Sequence, residues 1–423
     1  MKEYVIKGPN KGIRDKIVNI EGAKNSCLPL MASSVLFEDP VTFINVPLVK
    51  DVITMCNLLT ALGSKVEISK KKKSITIINK KKHKLVVPYK LVSTMRAGCL
   101  LMGSLLGKYQ KKNIVVAQGG GCAIGMRAIN FHISGFKALG ANSVLKKGYI
   151  NISAKKGLIG NKFKFKSVTV TGTSNLIYAG VLARGTSVLQ NISIEPEVLD
   201  VINWLNKCGA KIKFIGKRTI QIKGVKKLFG RGHKIISDRV EAFSYLCVGA
   251  ITRGKITVKN INPKYLYSEL QVLKKIGCKI DIKNYSITLS VTKKLKPINI
   301  KTGPFPSLAT DNMPILMALL TTVEGKSKIV ETIFSNRYMA SMELQRMGAK
   351  IYVKRDTATI IGVKKLYGTS CISSDLRTTF SIILGAIASI GTSRISRVYH
   401  GERGYYNLVN KLKKLGINIK SVS

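Results

Sequence analysis

Acidic side chains are scarce in this chain. Asp and Glu total 21 against 71 Lys and Arg, which leaves a formal net charge of +50 over 423 residues. Histidine is rarer still, with four copies, and there is one tryptophan. The eight cysteines (Cys27, Cys56, Cys99, Cys122, Cys208, Cys247, Cys278 and Cys371) include no Cys-x-x-Cys pair. With so few histidines this excludes a zinc site and leaves most of the thiols as small buried hydrophobes. No apolar run approaches the ~18 residues of a membrane span, and Met1-Lys2-Glu3-Tyr4-Val5 has no apolar core of a signal peptide. A cytoplasmic enzyme with no metal and no organic cofactor is expected. Also missing is a Gly-x-Gly-x-x-Gly placed after a strand, which excludes a Rossmann dinucleotide site.

The excess of positive charge admits two readings. A nucleic-acid partner is one. The other is drift toward Lys, Ile and Asn, as an AT-rich genome favours, with the lysines on a solvated surface. Lys70–Lys73, Lys80–Lys82, Lys111-Lys112 and Lys293-Lys294 fall in expected turns and lack interleaved aromatic residues for base stacking. They favour the second reading, and no specific nucleic acid is expected. An anionic small-molecule substrate benefits from the field in either case.

What is present is a repeat. Apolar residues at helical spacing, a Gly, a small residue and an alternating strand recur, as in Leu273-Lys274-Lys275-Ile276-Gly277-Cys278-Lys279-Ile280 and Leu344-Gln345-Arg346-Met347-Gly348-Ala349-Lys350-Ile351. The glycines stand at 63, 140, 209, 277, 348 and 416, a period of roughly 70 residues. Each can take the left-handed conformation that ends a helix, and the following Lys-Ile or Lys-Val alternation suits a half-buried strand. Six α/β units grouped three and three make two domains, and a cleft between similar domains is a common ligand site.

Four segments carry chemistry. Gly22-Ala23-Lys24-Asn25-Ser26 joins an expected strand to an expected helix, where helix amides and a Lys favour an anion. Gln118-Gly119-Gly120-Gly121-Cys122-Ala123-Ile124-Gly125-Met126-Arg127 surrounds one thiol with glycines and places an Arg near it. A nearby Arg favours thiolate, and glycines let a loop close over substrate; an incidental thiol in a loop is the alternative, and the functional reading is preferred. Asp311, in Pro306-Ser307-Leu308-Ala309-Thr310-Asp311, reads either as a general base or as a helix N-cap. Arg96, Arg337, Arg377 and Arg403 sit in turn-like settings of a Lys-rich chain. The choice of Arg suits bidentate recognition of carboxylate or phosphate, or a surface ion pair of little worth.

Taken together, these segments resemble the UDP-N-acetylglucosamine 1-carboxyvinyltransferases, enolpyruvyl transferases that begin peptidoglycan synthesis. The resemblance spans the chain and includes Gly22-Ala23-Lys24-Asn25, Thr94-Met95-Arg96-Ala97, Gly120-Gly121-Cys122, His132-Ile133-Ser134-Gly135, Glu195-Pro196-Glu197, Thr310-Asp311, Asn336-Arg337, Asp375-Leu376-Arg377 and Arg403-Gly404-Tyr405. It implies two inside-out α/β domains, each of three βαβαββ repeats, with the active site in the interdomain cleft. It places 22–236 in one domain, and 1–21 with 237–423 in the other. It implies that Lys24, Arg127 and Arg403 hold phosphoenolpyruvate, with Arg337 and Arg377 nearby. Cys122 would donate a proton and Asp311 would take one from the sugar hydroxyl. Asn25, Arg96, Arg127, Ala128, Ile129, Asn130, Phe131, Ser167, Val168, Thr169, Val170, Thr171 and Ile333 would meet UDP-N-acetylglucosamine. Two departures stand out: Ala128-Ile129-Asn130-Phe131 replaces the family's Pro-Val-Asp-Leu, and Asn312-Met313 replaces Met-Gln after the aspartate. The sister enzyme acting on shikimate 3-phosphate, and a basic nucleic-acid-binding protein of related fold, are the alternatives.

Overall fold

The computed structural model describes residues 2–10, 12–80, 82–93, 95–117 and 129–423. Cys122, Arg127 and Ala128 therefore lie outside the described residues.

All six repeat glycines have positive φ, from 88° at Gly140 and Gly416 to 108° at Gly277. Each follows a helix and precedes a strand. Helix Tyr267–Ile276, for example, ends at Gly277, whose N–H returns to Lys274 O, and strand Lys279–Lys283 follows. A β-carbon is strained at such angles, so glycine is the residue that permits the helix-to-strand turn.

After five of the repeat glycines the strand turns back as a hairpin that joins two further strands, and after Gly416 the last strand, Ile419–Val422, pairs instead with Glu3–Gly8. The result, among the described residues, is six four-stranded sheets with one internal plan. In the sheet of Lys162–Lys164, Thr186–Gln190, Thr219–Lys223 and Lys211–Gly216, the first pair is parallel and the next two are antiparallel. The parallel step is bridged by a helix, Val170–Gly180, as parallel strands require a crossover. Three sheets take one strand from far along the chain. His233–Lys234 lies beside Val41–Ile44, and Lys16–Asn19 beside Lys255–Lys259. Glu3–Gly8 lies between Gly391–Ser396 and Ile419–Val422.

The described chain forms two compact units, one of residues 2–21 and 237–423 and one of 22–117 and 129–236. Within each, helices occupy the centre. In the first unit, every residue of Arg239–Ile251 and of Met313–Leu320 is buried, and all of Leu376–Ala388 but its last residue. In the second, Lys24–Ser33 is buried from Ser26 onward, Leu101–Lys108 up to Gly107 and Val170–Gly180 from Gly172. A helix apolar all round is a core helix. Some of the buried hydroxyls bond to their own helix, as Ser244 Oγ does to Val240 O at 2.7 Å, and others to a neighbouring one, as Ser381 Oγ does to Pro314 O at 2.7 Å. The sheets cover these helices and keep one wet face. Ser286–Ser290 alternates, with Ile287 and Leu289 at 0 % exposure, and each such side chain contributes on the order of 2 kcal/mol. Lys70–Lys73 lies in the hairpin between Lys65–Ser69 and Ser74–Ile78, as the turn expectation required.

Candidate active site

In the first unit the chemistry gathers on Asp311. The short helical turn Thr310–Asn312 carries it, and its carboxylate caps no helix, so the N-cap reading is set aside. Arg337 Nη2 donates to Oδ1 at 2.6 Å, while Arg377 donates to Oδ2 from Nη2 at 2.9 Å and from Nε at 3.2 Å. Both arginine side chains are 3 % exposed and the aspartate side chain 27 %. These are therefore not surface ion pairs. Removing one member of such a buried pair costs about 3–5 kcal/mol, because the other charge loses its partner. A carboxylate with each oxygen held by a guanidinium is fixed in direction while its exposed edge remains available.

Arg377 corrects one sequence expectation. It stands not in a turn but in the first turn of the buried helix Leu376–Ala388. That helix is capped by Asp375, whose Oδ1 accepts from Arg377 N at 2.8 Å and Thr378 N at 3.2 Å. The cap orients the backbone from which Arg377 reaches out. Burial works against the guanidinium's charge, but Asp311, Tyr405 and Asp238 outweigh it and hold the group above the ordinary arginine value. The guanidinium also lies 5.5 Å from the centre of the Tyr405 ring. Burial pushes the Tyr405 phenol up to about 12, against the pull of Arg377.

The segment bearing Asp311 is anchored by two acids that sequence reasoning passed over. Glu331 accepts from Thr310 Oγ1 at 2.8 Å, from Ile333 N at 2.7 Å and from Phe334 N at 3.2 Å. It thereby ties the aspartate's neighbour to Ile333, which is 39 % exposed. Glu269 accepts from Asn312 Nδ2 at 2.9 Å and from Ala309 N at 3.4 Å. The Asn at 312 is thus a hydrogen-bonding member of the loop's support. The available signal was scarcity: in a chain with so few acids, those next to expected strands and helices are mostly committed to structure. Arg403 ends the helical turn Val398–Arg403 in a half-buried position. Burial, then its charge, hold His400 below the ordinary histidine value.

In the second unit Lys24 opens helix Lys24–Ser33, followed by half-buried Asn25. Its Nζ lies 3.1 Å from Asp51 Oδ2, in the first turn of helix Lys50–Leu62, with both side chains nearly buried. The expected strand-to-helix cradle therefore holds an ion pair, and Asp51 sets where the ammonium sits.

Besides Asn25, and apart from Ile333 in the first unit, the described residues expected to meet a UDP-sugar come from three neighbouring elements of this unit. Arg96 begins the turn Arg96–Leu100, and Ile129, Asn130 and Phe131 lie at the start of helix Asn130–Ala138. Ser167 and Val168 precede helix Val170–Gly180, whose N-cap Thr169 accepts from Gly172 N at 3.2 Å. At their junction is His132, 1 % exposed. Its Nδ1 lies 2.7 Å from Asn175 Nδ2 and its Nε2 3.3 Å from Thr171 Oγ1. Burial, then the Arg96 charge, lower its pKa to about 4.

The seven described cysteines are all buried. Burial pushes Cys27 and Cys247 well above the ordinary thiol value, and Cys56, Cys278 and Cys371 to about 12. None of these is a reactive thiol. Among the described residues no group of three His, Cys, Asp or Glu is placed to hold a metal, and no helix is long and apolar enough to cross a membrane.

Known proteins share this architecture and sequence. The chain is 42 % identical over 406 residues to the UDP-N-acetylglucosamine 1-carboxyvinyltransferase of Pelagibacter ubique, covering 96 % of each. It is 40 % identical to the protein of that name from Psychrobacter sp., covering 100 % of this chain and 97 % of the relative. Among solved structures, the enolpyruvyl transferase NikO from Streptomyces tendae superposes with a TM-score of 0.89 at 20 % identity, covering 100 % of this chain and 99 % of that one. EPSP synthase from Acinetobacter baumannii superposes at 0.79 and 18 % identity, covering 100 % of both. At those identities the structures establish the fold. The family model for EPSP synthase (3-phosphoshikimate 1-carboxyvinyltransferase) matches residues 10–412. With that model spanning nearly the whole chain and relatives at 40 % identity or more, the chain belongs to the EPSP synthase (3-phosphoshikimate 1-carboxyvinyltransferase) family of enolpyruvyl transferases.

Proposed function

We propose that this enzyme transfers the enolpyruvyl group of phosphoenolpyruvate to the 3′-hydroxyl of UDP-N-acetylglucosamine, releasing phosphate. The observation that carries the reading is the identity of 40–42 %, over 96 % or more of the chain, to proteins named for that reaction. The solved 3-phosphoshikimate-type neighbour stands at 18 %. The Asp311 cluster supplies chemistry of the required kind.

In the addition step the sugar oxygen bonds to C2 of phosphoenolpyruvate. The hydroxyl proton passes to Asp311, and C3 takes a proton from the Cys122 thiol to become a methyl group. In the elimination step a proton passes from that methyl group back to the Cys122 thiolate, the C2–C3 double bond re-forms and the C2–O bond to phosphate breaks, the phosphate leaving with the proton that Asp311 took. Asp311 suits the first role because Arg337 and Arg377 aim its carboxylate, and a positioned general base contributes roughly 10²–10⁴ in rate. Lys24, Arg127 and Arg403 hold the phosphate and carboxylate of phosphoenolpyruvate, and cations fixed beforehand stabilise the charge that develops. Arg96, the stretch Ile129 to Phe131, Ser167 to Thr171 and Ile333 receive the UDP-sugar. The residues 22–236 form the domain that binds it, and 1–21 with 237–423 the domain bearing Asp311. Such an enzyme acts in the cytoplasm, supports cell-wall growth and division, and is a target of the epoxide fosfomycin.

A phosphate-release assay with phosphoenolpyruvate tests the reading. Release that depends on UDP-N-acetylglucosamine is expected. Release with shikimate 3-phosphate in its place would transfer the assignment to the sister reaction.

A further inference from the structure

The helix Val170–Gly180 begins with three hydroxyl side chains whose roles differ. Thr173 Oγ1 donates back to Thr169 O at 2.6 Å and Ser174 Oγ to Val170 O at 3.1 Å, so both protons are spent inside the helix. Thr171 has no such bond. Among the described residues its hydroxyl meets only His132 Nε2, at 3.3 Å.

The direction of that bond follows from main-chain groups. Gly103 N–H, 2.9 Å from Asn175 Oδ1, can only donate, and Cys99 C=O, 3.0 Å from Asn175 Nδ2, can only accept. The Asn175 amide is therefore fixed with its nitrogen toward Cys99. The same nitrogen lies 2.7 Å from His132 Nδ1, so its second hydrogen points at that ring atom. His132 Nδ1 must then be the bare acceptor, and Nε2 carries the proton. That proton is donated to Thr171 Oγ1, leaving the threonine's own hydrogen to point elsewhere. The contact that locks Asn175 is close: a β-carbon at Gly103 would stand 2.3 Å from Asn175 O and 2.6 Å from Oδ1. Position 103 thus admits only glycine while this arrangement holds. Burial and the neighbouring Arg96 charge, which lower the His132 pKa to about 4, keep the ring neutral as the network requires.

We infer that His132 is a positioning residue that occupies one lone pair of Thr171 Oγ1 and so presents its hydroxyl as a hydrogen-bond donor, to which the UDP-sugar brings an oxygen acceptor. The inference rests on the proposed function and refines how the sugar-nucleotide is recognised. A ligand offering only a donor there would leave the Thr171 hydrogen without an acceptor, so the arrangement favours an acceptor at that point.

Two measurements on the full-length enzyme test it. With only four histidines, ¹⁵N-histidine spectra, assigned by the loss of one signal in His132→Gln, report the tautomer directly. A neutral ring protonated on Nε2 at pH 7 is expected. A ring protonated on Nδ1, or a cation, would overturn the inference. In kinetics, Thr171→Val should raise KM for UDP-N-acetylglucosamine by about tenfold, the usual worth of one hydrogen bond. KM for phosphoenolpyruvate should stay within about twofold. Thr171→Ser should restore the parent value, and His132→Gln added to Thr171→Val should raise KM no further, because His132 acts through the threonine. Equal KM values for parent and Thr171→Val, or additive losses in the double variant, would overturn it. Comparing UDP with UDP-N-acetylglucosamine as competing ligands locates the acceptor: a shared loss places it on the nucleotide, a loss confined to the latter on the sugar. A parent enzyme inactive with UDP-N-acetylglucosamine would remove the function reading itself, a result separable from the tautomer.

Discussion

Arg377 grips a single oxygen of Asp311 with two nitrogens, Nη2 at 2.9 Å and Nε at 3.2 Å, and leaves the other oxygen to Arg337 at 2.6 Å. The carboxylate cannot turn without breaking one of these bonds. A base held this firmly has its direction set before substrate arrives.

Asp311→Ala should therefore lower kcat for phosphate release by about two to four orders of magnitude, while calorimetric affinity for UDP-N-acetylglucosamine changes little. Unchanged turnover would remove Asp311 from the role of base.

Arg377→Ala should act on stability as well as rate. It strips Asp311 of one of its two guanidinium partners while Arg337 remains, and a cost of about 1–3 kcal/mol is expected in denaturant unfolding. Arg377→Lys should recover part of the stability and little of the activity, since an ammonium cannot reproduce the planar fork.

Fosfomycin should label one thiol. The seven described cysteines are buried, and burial holds thiols such as Cys27 and Cys247 well above the ordinary value, which suppresses the nucleophilic thiolate. Peptide mass mapping should find the adduct on Cys122 alone, and Cys122→Ser should take up none. An adduct on another cysteine would show that the loop assignment is wrong.

Acid should destabilise the second unit through His132. Its folded pKa, about 4, lies below the unfolded value of 6.5. Between those values the unfolded chain binds a proton that the folded chain refuses, so stability falls as pH drops from about 6.5 to about 4 and changes little above that window. The full effect is on the order of 3 kcal/mol. A His132→Gln variant should show a flatter dependence of thermal midpoint on pH over the same range.

Gly277→Ala tests the repeat. With φ at 108°, a β-carbon there should cost about 1–3 kcal/mol, seen as a lower unfolding midpoint with little change in KM.

The six-fold phrase was legible because its causes are local. A glycine at the left-handed turn ends one helix, and the strand that follows alternates charged and apolar residues in sequence, as Lys279–Lys283 does after Gly277, although of its two isoleucines Ile280 is half-buried and Ile282 exposed. Recurrence of that phrase in one chain sufficed to predict six α/β units. The buried central helices were harder to read, since Arg239–Ile251 and Met313–Leu320 have no polar face to give a period. Resemblance, not periodicity, indicated that the units are inside out.

The residue types of the candidate site were also legible, but not their partners. Arginine in a lysine-rich chain marked Arg337 and Arg377, yet they lie 26 and 66 residues from Asp311. Only the packing of separate repeats brings them to one carboxylate. The same holds for His132, whose tautomer depends on Asn175 and, through it, on Gly103 and Cys99 in another helix and turn. Turn, strand and helix ends follow from short-range sterics and hydrogen bonding, which the sequence by itself determines. The direction of a carboxylate, or of a hydroxyl proton, depends on contacts across many intervening residues, and those the tertiary structure alone decided.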